Sequence, residues 1–353
     1  MNYTPLLIFL TSFIISVAAV PSIIKVAKEK MLFDKPTEKR KIHTKSIPNL
    51  GGIAIFLGFY FSILMFRILC ESMELSVLCA ASVLLFFVAL KDDLISTAPI
   101  LRLFYQFLIA FIIVVVGQVY FTHLPFSEYD GLFFKSVNVL FSVVFIVAII
   151  NALNFIDGVD GLSGSVGIFT LLAFAFAFQM YGETTYALIS LALAGSTLGF
   201  LVFNWNPAKI FMGDIGSMLL GVFLAVFAIK LSNLEPLRLG LIPIKNPTTL
   251  AVALLIIPIM DMITVVIVRV SLKLSPFNAD KRHTHHRLLA LGFSQKAVTL
   301  TLVAFNLFVV LFAFGISLVL NGFLSFITVI LLSATFEATL IYFHRKKNAS
   351  YLK

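Results

Sequence analysis

The sequence predicts an all-α integral membrane protein, a polytopic bundle of about 11 transmembrane helices with its candidate functional residues at the cytoplasmic face. Three observations carry that prediction. First, 60% of the 353 residues are hydrophobic and only 12% are charged, and the mean hydropathy is +1.05; soluble domains are nearer 45–50% apolar and about 25% charged. Second, eleven spans of roughly 20 residues would use about 220 residues, close to the apolar fraction. Third, the basic residues fall mainly on one side of the resulting topology. A water-soluble globule could not be covered by so few charges. The composition also excludes a disulfide scaffold, a coiled coil and a disordered chain.

The apolar runs lie near 5–24, 51–70, 75–90, 100–121, 137–153, 165–181, 185–203, 215–232, 248–271, 297–320 and 323–344, with 75–90 the shortest. Breakers at 71–74, 182–184 and Asn321-Gly322 separate neighbours. The first run has no basic stretch ahead of it, so it reads as a retained span rather than a signal peptide, with the N-terminus outside. Of the 26 Lys and Arg residues, 21 then fall in the cytoplasmic segments and 5 outside. This is the asymmetry of the positive-inside rule, and it places the C-terminus in the cytoplasm too. The longest polar stretches, 25–50 and 272–296, are single loops too short for a core of their own, so residues 1–353 read as one transmembrane domain. No internal repeat is evident, which weighs against a secondary transporter. Cys70 and Cys79 read as unpaired thiols without metal-ligand spacing.

The acids carry the functional signal. Asp92, Asp93, Asp157, Asp160 and Asp214 fall at cytoplasmic ends of spans, and Asp261 lies some ten residues before such an end, after Pro258. Such acids either mark where helices leave the bilayer or face a shared pocket. Six on one side favour the pocket, which needs cations: basic residues of the same-side loops, or a divalent metal.

In LKDDLISTAP, adjacent Asp92 and Asp93 point about 100° apart on a helix. One therefore faces a metal or acceptor while its neighbour orients Lys91 or a water. In NALNFIDGVDGLSG, Asn151, Asn154, Asp157 and Asp160 form one stripe if helical. Gly158, Gly161 and Gly164 let a ligand approach closely. Such oxygens suit Mg²⁺, Mn²⁺ or sugar hydroxyls. In NWNPAKIFMGDIGS, Asp214 directly precedes the span at 215–232, a place that favours phosphate and metal together. Phe211 either stacks on a base or packs in the core. The loop at 275–292 holds His283, His285 and His286 with Lys281, Arg282 and Arg287. Three histidines suggest zinc, but no cysteine accompanies them. Binding of a diphosphate fits better than either zinc or a merely solvated basic loop.

Taken together these motifs resemble the polyprenyl-phosphate N-acetylhexosamine-1-phosphate transferases. The resemblance runs from about Asp34 to Gly292 and rests on DKPTEKRKIHTKSIPNLGG, the aspartate pair, NALNFIDGVDGL, FNWNPAKIFMGDIGS and PIMDMITVVIVRVSLKLSPFNADKRHTHHR in that order. The HTHH sequence is more similar to the branch that starts O-antigen, enterobacterial common antigen or teichoic acid chains than to the peptidoglycan branch. Ser96 departs from the third aspartate that many members of the first branch carry. The resemblance implies transfer of a sugar 1-phosphate from a UDP-N-acetylhexosamine, by default UDP-GlcNAc, to undecaprenyl phosphate, with release of UMP. It also implies an inner-membrane enzyme that needs Mg²⁺ (or Mn²⁺), binds no nucleic acid and admits a homodimer. By the same resemblance Asp214 and Asn154 hold the metal, and Asp92 or Asp93 faces the acceptor. Asn151, Asn154, Asp157, Asn204 and Phe211 belong to the nucleotide side, and Asp160, Arg282, His283, His285 and His286 complete the site. Lys41 and His43 either receive the lipid phosphate or serve only the charge asymmetry. The residue chemistry admits both direct attack and an aspartyl-phosphate route. A cation- or proton-coupled transporter is the reading from another class, and an inactive scaffold a third.

Overall fold

The computed structural model of the chain describes residues 3–32, 47–68, 72–95, 97–122, 131–239, 242–244, 246–274 and 282–350. Among the described residues the elements run α1 (Thr4–Glu29), α2 (Gly51–Met65), α3 (Met73–Leu94), α4 (Pro99–Val115), α5 (Leu132–Ile156), α6 (Leu162–Met180), α7 (Thr184–Asn204), α8 (Gly213–Ser232), β1 (Leu237–Leu239), β2 (Ile242–Ile244), α9 (Pro247–Leu254), α10 (Ile256–Ser271), α11 (Thr284–Ala290), α12 (Gln295–Ser317) and α13 (Gly322–Ser350). Among the described residues, eight of these helices are long and apolar enough to cross a membrane: α1, α3, α5, α6, α7, α8, α12 and α13. The chain is a multi-pass α-helical membrane protein. The expected eleven spans require in addition that the bent pair α9–α10 and the shorter apolar helices α2 and α4 cross.

The helix α8 is the central post, buried along nearly its whole length. Its sequence is apolar all round, as a helix enclosed by others should be. Around it stand α2, α3, α5, α6 and α9. The outer pair α1 and α7 meets through small residues. A Cβ on Gly195 would lie 2.3 Å from the Phe9 carbonyl oxygen, so only glycine lets the two backbones approach this closely. Without a hydrophobic effect inside lipid, such close packing holds helices together.

Two expectations about spans change. The run expected at 75–90 is the 22-residue α3, because the helix continues through Lys91, Asp92 and Asp93. Charged residues near a membrane boundary do not break a helix. The run at 248–271 is two helices bent by 70° at Leu255. Pro258 is the cause: it has no N–H for the Leu254 carbonyl four residues earlier, and its ring crowds that oxygen. The freed carbonyl accepts instead from Thr170 Oγ1 of α6 (3.1 Å) and Asn306 Nδ2 of α12 (3.3 Å). A break at membrane depth is tolerated when buried side chains replace the lost donor.

The antiparallel pair β1–β2, with Arg238 opposite Pro243, departs from a purely helical chain. Cys79 is buried and free; Cys70 and Ser96 lie outside the described residues. The C-terminal ends of α3, α5, α7 and α10 gather with the N-terminal ends of α4, α6, α8 and α12 at one end of the bundle. That end carries the acid- and histidine-bearing motifs.

Candidate active site

The geometry starts from the first turn of α8. Asp214 stands there with both oxygens engaged: Oδ1 accepts from Asn154 Nδ2 of α5 at 2.6 Å, and Oδ2 from Arg102 Nη1 of α4 at 2.9 Å. The same Arg102 nitrogen reaches Asp92 Oδ2 at 3.0 Å. Asp92 Oδ1 is held by the backbone N–H and hydroxyl of Thr97. Thus carboxylates from α3 and α8 converge on one cation supplied by α4. Asn154 also donates to Ser217 Oγ at 3.0 Å, and Asn151 donates to Gln106 Oε1 at 2.7 Å, locking α5 to α4.

Asp93 does something different from its neighbour. Its oxygens accept the backbone N–H of Asp214 (3.0 Å) and of Ile215 (3.2 Å), and the Asn49 side chain adds a third donor at 3.2 Å. It caps α8 from another helix, satisfying donors the first turn leaves open. The expected partner of the second aspartate was Lys91 or a water; the donors are the backbone of α8 and Asn49. The preceding segment is stitched down as well, with the Phe211 N–H on Pro48 O (2.7 Å) and the Gly51 N–H on Phe211 O (2.9 Å). The Phe211 ring is half-buried beside these contacts.

The stripe Asn151, Asn154, Asp157, Asp160 holds only to Asn154. The helix α5 stops at Ile156, and Asp157 is its C-cap with a non-helical backbone. The Asp157 carboxylate accepts from the Ser163 hydroxyl. Burial pushes its pKa up to about 7, with Ser163 opposing and the charges of Asp214 and Asp160 adding to the rise. Asp160 turns the other way: its Oδ2 accepts from Asn206 Nδ2 and the Ala208 N–H, both at 2.9 Å, so it ties down the loop that leads to Asp214. Asn204 bridges the same parts, accepting the Gly161 N–H at 3.0 Å and donating to Ile210 O at 2.8 Å.

The histidines close the site from the far side. His283 Nδ1 bonds Asp261 Oδ2 at 2.7 Å, and the Thr284 N–H bonds Asp261 Oδ1 at 2.6 Å. The Asp261 carboxylate, well inside its apolar run in the sequence, is therefore an anchor of the histidine turn. The His283 and His285 rings stack at 5.6 Å, and His286 lies 4.3 Å from His285. His285 presses against the 157–161 turn: a Cβ on Gly158 would fall 2.6 Å from its Nε2. Burial drives the His285 pKa down to about 3, so its ring is neutral. Arg282 is half-buried at the start of this turn. Lys41 and His43 lie outside the described residues.

Among the described residues, no three His, Cys, Asp or Glu side chains form a ready cage for a metal ion. The donors that do converge, the Asp92 and Asp214 carboxylates, are hard oxygens meeting on the one positive charge of Arg102, with Asn154 Nδ2 hydrogen-bonded to Asp214 Oδ1 beside them. That set fits Mg²⁺, which keeps several waters and needs only one or two carboxylates plus substrate phosphate. It does not fit zinc. Sequence reasoning missed Arg102, Gln106, Ser163 and Glu337 as functional residues. The signal was present for three of them: Arg102 and Gln106 are an i, i+4 polar pair in the otherwise apolar α4, and Glu337 is a lone acid in an apolar run.

The chain is similar to known proteins over most of its length. A family model described as glycosyl transferase family 4 matches residues 75–232. The chain is 30% identical to the probable undecaprenyl-phosphate N-acetylglucosaminyl 1-phosphate transferase of Bacillus subtilis, over 94% of this chain and 91% of that protein. It is 30% identical to the decaprenyl-phosphate N-acetylglucosaminephosphotransferase of Mycobacterium tuberculosis, over 88% and 81% of the two chains. It is 31% identical to the undecaprenyl-phosphate alpha-N-acetylglucosaminyl 1-phosphate transferase of Escherichia coli K12, over 79% and 76%. Nothing in these similarities points to a transporter.

Proposed function

The chain belongs to glycosyl transferase family 4, and on that premise we propose that it transfers N-acetylglucosamine 1-phosphate from UDP-GlcNAc to undecaprenyl phosphate. A phosphate oxygen of the lipid attacks the β-phosphorus of the donor. The bond from that phosphorus to the bridging oxygen breaks, and UMP leaves with the oxygen and its electron pair. The product is a lipid diphosphate-sugar, the first membrane-bound precursor of a cell-surface polysaccharide.

The observation that supports this most is the convergence of Asp92 and Asp214 on Arg102, beside Asn154 and facing the histidine turn. Phosphoryl transfer is mainly positioning and charge neutralisation, and these residues supply both. Asp214 and Asn154, with Asp92 beside them, would hold Mg²⁺ (or Mn²⁺), whose chemistry there is neutralisation of the diphosphate charge. Arg102 carries a fixed positive charge to the same place. Arg282, His283, His285 and His286 take the sugar-phosphate from the other side, with His285 as a neutral donor or acceptor. Phe211, Asn151, Asn204 and Asp157 frame the nucleotide, and Asp160 holds the loop that carries Phe211. Asp93 acts on the acceptor side through the placement of α8. The acceptor monoester has its second pKa near 6 and arrives largely as a dianion, so its activation needs little from a base.

The excess of basic residues at the site end supports an inner-membrane protein with the N-terminus outside and the site in the cytoplasm, where nucleotide sugars are found. Lys41 and His43 precede the stretch docked on Asp93 and are assigned to the lipid phosphate. The test is a panel of UDP-sugars with purified protein in detergent, undecaprenyl phosphate and Mg²⁺, scored for UMP. UDP-GlcNAc should respond, and only with lipid and metal both present. Response to another N-acetylhexosamine alone would correct the sugar.

A further inference from the structure

The helix that carries the histidines has only seven residues, Thr284–Ala290. A helix this short is not stable by itself, so its position must come from outside. Asp261 holds its N-terminal end, as described above. The remaining anchors come from α13, which lies beyond the segment matched by the family model. Glu337, buried in the middle of this apolar helix, accepts the Thr284 hydroxyl on Oε1 at 2.5 Å and Arg287 Nη1 on Oε2 at 2.9 Å. Nearly three turns further on, Lys347 Nζ donates to Ala290 O at 2.9 Å, capping the other end of the same helix.

Thr284 sits between His283 and His285, and Arg287 directly follows His286. A carboxylate that grips both sets the rotation of the turn about its axis, which decides where each imidazole points. Burying an ion pair costs desolvation energy that its Coulomb attraction barely returns. An acid at this depth therefore points to what it holds rather than to bulk stability. We propose that Glu337 is a positioning residue for the transferase site, a two-point clamp from α13 that fixes the orientation of His283, His285 and His286. This rests on the reaction proposed above for its kinetic consequence, but not for the clamp itself.

Hydrogen–deuterium exchange of the full-length protein in detergent reads the clamp without turnover. In Glu337→Ala, amides 284–290 should exchange about tenfold faster or more, while those of α8 keep the wild-type rate. Glu337→Gln retains an oxygen for Arg287 and an N–H for the Thr284 hydroxyl, so exchange there should rise less than about threefold. In UMP release, Glu337→Ala should lower kcat by about 30-fold or more, with KM for UDP-GlcNAc within about twofold and most of the rate restored by Gln. Should Glu337→Ala fail to insert, Thr284→Val removes one point of the clamp and carries the same exchange test. Unchanged exchange of 284–290 overturns the proposal, and so does faster exchange spread equally through α8. Loosening of 284–290 in a protein whose wild type releases no UMP would sink the reaction and leave the clamp standing.

Discussion

Asp93 and Asp214 are joined through the backbone: the Asp93 carboxylate accepts the N–H of Asp214 itself at 3.0 Å. Two adjacent aspartates on α3 therefore have separate tasks. Asp93 fixes where α8 begins, and Asp92 shares Arg102 with the side chain of Asp214. Replacement should tell them apart. Asp93→Ala strips the side-chain cap from α8, leaves its backbone donors unsatisfied and should cost about 1–3 kcal/mol of stability, seen as a lowered Tm in detergent together with lost transfer. Asp92→Asn should lose transfer with Tm nearly unchanged. Equal Tm values for the two variants would contradict the division.

Arg102 occupies the position between two carboxylates that a divalent cation would also seek. Arg102→Met should lower UMP release roughly 100-fold, in the range of losing one preorganised charge-stabilising donor. It should also make the protein more responsive to Mg²⁺, because the unpaired carboxylates attract the ion more strongly. A thermal-shift titration checks this: half-maximal stabilisation should need less Mg²⁺ than in the wild type. An unchanged midpoint would place the ion elsewhere.

The contact of His285 with Gly158 joins the two halves of the site. Gly158→Ala would put a Cβ 2.6 Å from Nε2, so the ring must move. Transfer should fall about tenfold or more, since small displacements of a positioned group are costly to rate, while membrane insertion stays normal. Wild-type kcat/KM in this variant would show that the ring has no fixed role.

The buried groups predict opposite pH effects on stability. His285 has a folded pKa of about 3, below its unfolded value near 6.5. Between these the unfolded chain binds more protons, so the folded state loses up to about 1.4 kcal/mol per pH unit as the pH falls below 6.5. Asp157, raised to about 7 by burial, behaves in the reverse sense. Its favourable contribution is complete below about pH 4 and is lost as pH rises through about 7. In Tm scans from pH 8 to 5, His285→Asn should flatten the loss on the acid side, and Asp157→Asn should flatten the loss on the alkaline side. Profiles parallel to wild type would contradict both assignments.

Much of this was legible in the sequence. Long apolar runs located the eight helices long enough to cross a membrane to within about six residues, because burial in lipid imposes the same demand on each of them. Asp214 at the start of α8 and the asparagines of α5 were marked by spacing. Other features were not. Asn151, Asn154, Asp157 and Asp160 have equal spacing, yet the turn after Ile156 sends Asp157 to Ser163 and Asp160 to the 206–208 loop. Local spacing does not report a helix end. The break at Leu255 could be read from Pro258, but the donors that repair it, Thr170 and Asn306, come from distant helices. Arg102 and Glu337 were counted as charges rather than as partners, since pairing across 112 and 50 residues is set by packing alone.

The most direct test of the central claim follows the β-phosphate. Wild-type protein and Asp214→Asn, both shown to be inserted, would be given UDP-GlcNAc labelled at the β-phosphorus with undecaprenyl phosphate and Mg²⁺. The wild type should move the label into the organic phase with the lipid and release unlabelled UMP, and Asp214→Asn should do neither. Label left in water as UDP would mean attack at the sugar carbon rather than at phosphorus, and would contradict the reaction proposed for this site.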